Sequence, residues 1–193
     1  MSKRQSWIEK LPNEGQRIRA ELFFRQLDTL KIIKRAAQKA MVTESKRHPA
    51  YRVLNQVAEL GPVRIAQLIA TVDTPWRFRT KRPFWKYLGL AVETRTTADH
   101  EIEAGHVHKR RKQFVQTRGL NQDYNRRLKL VFKSAATHAC HGAYREYYEG
   151  LLQTGMREEM ARLAVTRKLA ATVLAVWKSG ESFDAGRILR RAA

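Results

Sequence analysis

Thr96 and Thr97 stand side by side in Arg95-Thr96-Thr97-Ala98-Asp99-His100, directly after the apolar stretch Tyr87-Leu88-Gly89-Leu90. A hydroxyl attacks phosphorus only when a base takes its proton and another group holds the developing anion. Asp99 and His100 supply residue types for the first task, and the arginines downstream for the second. The same string also fits a polar turn, with Thr and Asp side chains bonding the backbone. Residue types and spacing by themselves leave it a turn.

A second group is the basic tract between His106 and Lys129. It holds Lys109, Arg110, Arg111, Lys112, Arg118, Arg126, Arg127 and Lys129, with Asp123 as its one acid. A charge run is ordinarily a solvated face. Here Phe114, Asn121, Tyr124 and Asn125 are interleaved, as in surfaces that hold a phosphate backbone and stack on bases. If roughly six to eight of these cations each neutralise a phosphate, the log–log salt slope is on the order of −5 to −7. A third group is Gly61-Pro62 with Arg64, where a helix start can offer backbone N–H groups to a phosphate. A packing hairpin is the competing reading, and the basic context favours phosphate.

Two further constellations carry less. His106-Val107-His108 with Tyr144 and Tyr148 resembles the metal-and-tyrosine arrangement of rolling-circle nucleases, but the antiparallel sheet those enzymes need is not legible in the sequence. His138, Cys140 and His141 are metal-ligand types. Their spacing does not bring them onto one helical face, and no metal site is expected.

The elements that must position these groups are helical. Ile18, Phe23, Leu27, Leu30, Ile33, Ala37 and Met41 recur at threes and fours, predicting one long helix from Glu14 to His48 suited to a coiled coil. His48-Pro49 stops it. The chain accordingly divides into a connector, residues 1–50, and a second domain, residues 51–193. That domain opens with a helix-hairpin-helix: Val53 to Leu60, Gly61-Pro62, then Val63 to Thr71. Helical period is lost between Val92 and Arg118, where the alternation around Ala104-Gly105 predicts a small β-hairpin near 100–110. It resumes in two later stretches, with Gly155 and Gly180 as stops. The fold class is all-α, a long N-terminal helix followed by a helical bundle.

Composition bounds the partners. The 193 residues carry 38 Lys+Arg against 18 Asp+Glu, a formal charge of +20. Few metabolic enzymes need such a potential, and a nucleic-acid binder does. An anionic membrane surface is the competing target. The single cysteine, Cys140, excludes an internal disulfide framework and fits a reducing compartment. The opening residues lack a secretory apolar core, and the longest apolar run, Leu169 to Trp177, falls far short of a bilayer span. The expected location is cytoplasmic, without a membrane partner.

Separated stretches point to a family. "LNQVAELGPVRIAQLIATVDTPWRFRTKRPFWKYLGLAVETRTTAD", "RGLNQDYNRRLK", "YREYYEGLL" and "TRKLAATVLAVWKSGESFD" occur in this order. Together, from about Tyr51 to Asp184, they resemble the C-terminal domain of the insertion-sequence 110/116/902 transposases, and the preceding helix resembles their coiled-coil connector. The resemblance implies DNA transposition by strand cleavage and exchange. In that family an N-terminal RNase-H-like domain bearing acidic residues works with a C-terminal serine, usually in a Ser-Ser pair shortly after the "YLGL" segment. Thr96 and Thr97 occupy that position here, and Glu59 stands where the family usually has glycine. The resemblance further implies DNA as partner, a structured guide RNA, and a homo-oligomer or association with a full-length transposase. Divalent metal would belong to the acidic domain, with no cofactor in this chain. Because the chain opens at the connector, the expectation is a truncated form not active by itself. The alternative is a non-catalytic nucleic-acid-binding module that regulates or competes with an intact transposase.

Overall fold

In a computed structural model, described for residues 3–94, 100–109, 117–181 and 183–184, the chain forms two compact units, Met1–Glu44 and Ser45–Ala193. The backbone alone is described at 94, 100–103, 108–109 and 117–118. The first unit holds a short helix, α1 (Lys3–Glu9), and most of the long helix α2 (Glu14–Ser45). Asn13 starts α2, its Oδ1 accepting the Gln16 N–H at 2.9 Å. Arg4 of α1 forks onto Asp28 at 2.5 and 2.8 Å and lies over the Phe24 ring. The long helix expected from the apolar spacing is therefore present. From Ile18 to Ile33 its stripe is open to solvent, from 43% exposure at Leu27 to 61% at Leu30, and Met41 is partly buried.

The second unit is built around α8 (Glu158–Ser179), which is buried at many positions from Ala161 to Trp177 and packs against α3, α5, α6 and α7. This explains why Leu169 to Trp177 is so hydrophobic without approaching membrane length: Leu169, Ala170 and Val173 are fully buried, and Leu174 and Trp177 nearly so. Among the described residues no helix is long and apolar enough to cross a membrane. Gly180 ends α8 in the left-handed conformation, as its position predicted. Phe78, Phe84 and Phe132 meet in the core, with ring centroids 4.9 and 5.7 Å apart.

The hairpin of helices differs from the expectation in its first arm. That arm is α3 (Pro49–Leu54), with Pro49 in its first turn and the His48 imidazole accepting the Ala50 N–H; the second is α4 (Gly61–Val72). Between them the chain makes successive tight turns, Val57 N–H to the Leu54 carbonyl and Leu60 N–H to the Val57 carbonyl, each 3.1 Å. Turns of this kind bring every third residue to the same side. Leu54, Val57 and Leu60 are thus all fully buried, a spacing that imitates a helix.

A short 3-10 turn (Pro75–Arg77) and α5 (Lys81–Tyr87) follow. Then comes a small β insertion, before α6 (Arg126–Ala139) and α7 (Arg145–Gln153) complete the bundle. The expected hairpin is β2 (His100–Glu103) against β3 (His106–Lys109), turned by Ala104 and Gly105 at φ 51° and 79°. Sequence periodicity did not show the second pair. β1 (Val92–Thr94) and β4 (Thr117–Leu120) join antiparallel, Val92 opposite Leu120 and Thr94 opposite Thr117, with an irregularity between. The fold is all-α, carrying this insertion between α5 and α6.

Candidate nucleic-acid interface

Thr96 and Thr97 lie outside the described residues, as do Arg110, Arg111 and Lys112. The ends of both segments are described. Residues 95–99 connect β1 to β2 and residues 110–116 connect β3 to β4. Thr94 pairs with Thr117 at one end, and His100 with Lys109 at the other. Lys109 closes β3, and Arg118 sits inside β4.

The platform segment leading into β1 is held by many hydrogen bonds. Leu88, Gly89 and Leu90 are buried, and the Leu90 and Ala91 N–H groups both donate to the Trp85 carbonyl. Arg167 of α8 donates through Nε to the Leu90 carbonyl at 2.7 Å, while the Trp85 indole donates to the Arg167 carbonyl at 2.9 Å. Burial lowers the Arg167 pKa, and its Nη2 has no partner among the described residues. On the other side, Asn121 is 4% exposed and gives its amide to the carbonyls of Lys86 and Asp123. Its own N–H reaches the Ala91 carbonyl. Asn125 caps α6 by accepting the Leu128 N–H at 3.0 Å, and donates to the Tyr87 hydroxyl. The segment before the threonines is thereby tied to α5, α6 and α8.

These contacts revise the basic tract. Asn121 and Asn125 are structural ties, and Tyr124 packs its ring onto the face of Gly89, where an added Cβ would come within 2.5 Å. Lys129 lies 3.9 Å from the Tyr124 ring centroid. This aromatic is spent on the platform; Phe114 lies outside the described residues. Arg126 and Arg127 differ. Both are exposed in the first turn of α6, which holds no acidic residue. Cations at a helix N-terminus oppose its dipole, so a bound anion there would relieve an unfavourable arrangement.

Gly61 has φ +65° and opens α4, a conformation that favours glycine. Arg64 is turned inward: Nε donates to Ser134 Oγ of α6 at 3.1 Å, and Nη1 to the carbonyls of Glu59 and Leu60 at 3.3 and 3.4 Å. Its guanidinium locks the hairpin to α6, which is the packing alternative. Glu59, 8% exposed, buries Oε2 without a hydrogen-bond partner among the described residues, while its Oε1 lies by Gly142.

Of the remaining constellations, the two tyrosines and the cysteine are core residues. Tyr144 is fully buried and Tyr148 is 8% exposed, so neither presents a nucleophile. Cys140 is buried while His138 and His141 face outward, and among the described residues no three metal-ligand types gather. Burial pushes the Cys140 thiol up, with Arg162 pulling more weakly the other way.

Residues 51–149, running from α3 through the β insertion into α7, match the family described as "Transposase IS116/IS110/IS902 family". The chain belongs to the IS116/IS110/IS902 transposase family. No curated protein matches it. The matched span of this transposase-family chain contains the Trp85–Ala91 part of the platform, both candidate segments and the α6 start, but not Arg167. It stops short of α8, so the fourth stretch of the sequence resemblance lies outside the match. Sequence reasoning missed Trp85 and Arg167 as partners because their contact joins positions 82 apart. A tryptophan and an arginine on otherwise apolar faces were the available signal.

Proposed function

We propose that this chain is the DNA-binding part of a transposase, holding backbone phosphate with its basic residues beside a hydroxyl-bearing segment. The observation that carries this reading is the match of residues 51–149 to the transposase family, within which Arg126 and Arg127 stand exposed in the acid-free first turn of α6. In strand cleavage, the Thr96 or Thr97 oxygen would bond to phosphorus as a DNA oxygen leaves, giving a covalent protein–DNA ester; the threonine proton passes to a base. Threonine's methyl group restricts its rotamer and crowds that attack. The acidic, metal-holding half of the chemistry belongs, by family resemblance, to an RNase-H-like domain. We infer that DNA binding is this chain's own activity and that cleavage depends on carboxylates from that domain.

The test is DNA binding by fluorescence anisotropy, followed by denaturing gels for a covalent product with and without a protein carrying the acidic domain. Binding, with a covalent product only in the mixture that disappears in Thr96→Ala/Thr97→Ala, supports the cleavage reading. Binding that survives the double substitution, with no covalent product in either case, favours the second reading: a non-catalytic module competing with an intact transposase. The threonine-for-serine replacement favours that alternative. A structured guide RNA and self-association are further partners of this proposal, testable by the same titration with RNA and by sedimentation.

A further inference from the structure

Trp76 is 70% exposed, at the lip of an open groove of about 390 Å³ formed by the start of α3, the loop after α4 and the end of α8. The loop that presents Trp76 is costly to make. Asp73 has φ 65° and ψ −64°, and the Thr74 N–H donates to the Val72 carbonyl at 2.8 Å, a γ-turn of the rare, strained hand. Pro75 is then buried, and Thr74 Oγ1 accepts the Trp76 N–H. Trp76 is thus held outward by a fixed turn.

Its surroundings are cationic. Lys178 Nζ lies 5.3 Å from the Trp76 ring centroid and donates to the carbonyls of Phe78 and Arg79, so it is anchored there. Arg52, next in sequence to the lining residue Val53, and Arg79, whose carbonyl takes the Lys178 ammonium, are exposed just outside the lining. Asp73 is the one carboxylate in the lining. Trp177, 8% exposed, gives the groove an apolar floor. An aromatic face beside cations, above an apolar floor, suits a base and its phosphate. A duplex keeps its base faces stacked, so the occupant has to be unpaired.

We propose that the Trp76 groove binds one unpaired nucleotide of a single strand, the base stacked on the indole and the phosphate held by Arg79 and Arg52. This rests on the nucleic-acid reading above, and its lining residues are other than the basic and hydroxyl residues named there. A short labelled single strand and the same strand annealed to its complement are titrated with the full chain and with Trp76→Ala and Trp76→Phe. Equal thermal unfolding of the variants confirms that they fold. Trp76→Ala is expected to weaken single-strand binding roughly tenfold. Duplex binding should change less than about twofold, and Trp76→Phe should retain most of the single-strand affinity. Unchanged single-strand affinity in Trp76→Ala overturns the proposal, as does an equal loss on both forms, while leaving DNA binding intact. A wild-type chain that binds neither form overturns the functional reading and this site with it.

Discussion

Tyr144 shows at the residue scale how position separates a reactive side chain from a structural one. The phenol is fully buried, and its hydroxyl makes no well-formed hydrogen bond, although Thr172 stands close enough to favour its ionised form. Burial pushes the phenol far above the ordinary tyrosine range and outweighs Thr172; the Glu59 charge acts in the same direction as burial. The folded chain therefore keeps this proton when the unfolded chain, titrating near about pH 10, gives it up. Tyr144's contribution is fully present below about pH 10 and is lost as pH rises through the folded value. Denaturant titrations across the alkaline range should show a loss of stability that Tyr144→Phe reduces. At neutral pH that variant should be as stable as the parent or more so by up to about 1 kcal/mol, since it removes a buried hydroxyl that lacks a good partner. Loss of several kcal/mol would mean the hydroxyl is well bonded. Cys140 belongs to the same class. Its raised thiol should resist alkylating reagents under native conditions and react at once on unfolding.

Among the elements, the junction of α5, β4 and α6 decides whether the candidate site is presented at all. Gly89 is left-handed, with the Tyr124 ring where a Cβ would go. Gly89→Ala meets both backbone strain and a clash, and should cost at least about 2 kcal/mol by thermal unfolding. Asn125→Ala removes the α6 cap and the Tyr87 contact and should cost about 1 kcal/mol. Of this junction, the sequence showed the helices and little else. Helices are legible because their bonds are local and their apolar spacing repeats: α2, α4 and α8 all follow from it. The same local rule misplaced the first hairpin arm, because turns at 55–60 bury every third residue as a helix could. Pairing of β1 with β4 and the reach of Arg167 to Leu90 join distant positions, and no periodicity encodes them. The candidate site was legible as a position, through resemblance, and as charge. Which polar residues of the tract are structural was not, because Asn121, Tyr124 and Asn125 are the same residue types a nucleic-acid surface uses.

For the whole molecule, a formal charge of +20 sets a long-range field but does not say which cations meet phosphate. The structure divides them. Arg64 is bonded to Ser134 and two carbonyls, so Arg64→Ala should lower stability by about 1 kcal/mol while leaving the salt dependence of DNA binding unchanged. Arg126 and Arg127 are exposed at the positive end of α6, where their own repulsion from the dipole favours release onto an anion. Each phosphate contact contributes roughly 0.9 to the slope of log affinity against log salt on duplex DNA. Arg126→Ala/Arg127→Ala should therefore reduce the magnitude of that slope by about 2, and weaken binding uniformly across sequences, because phosphate contacts carry no base information. Thermal unfolding of the double variant should rise slightly, since two cations leave a helix N-terminus. An unchanged slope would place the bound strand away from the start of α6 and leave the electrostatic contact to other cations. Equal slope changes from Arg64 and from the Arg126–Arg127 pair would mean that charge is felt only in bulk, and that the division between buried and presented cations has no part in binding.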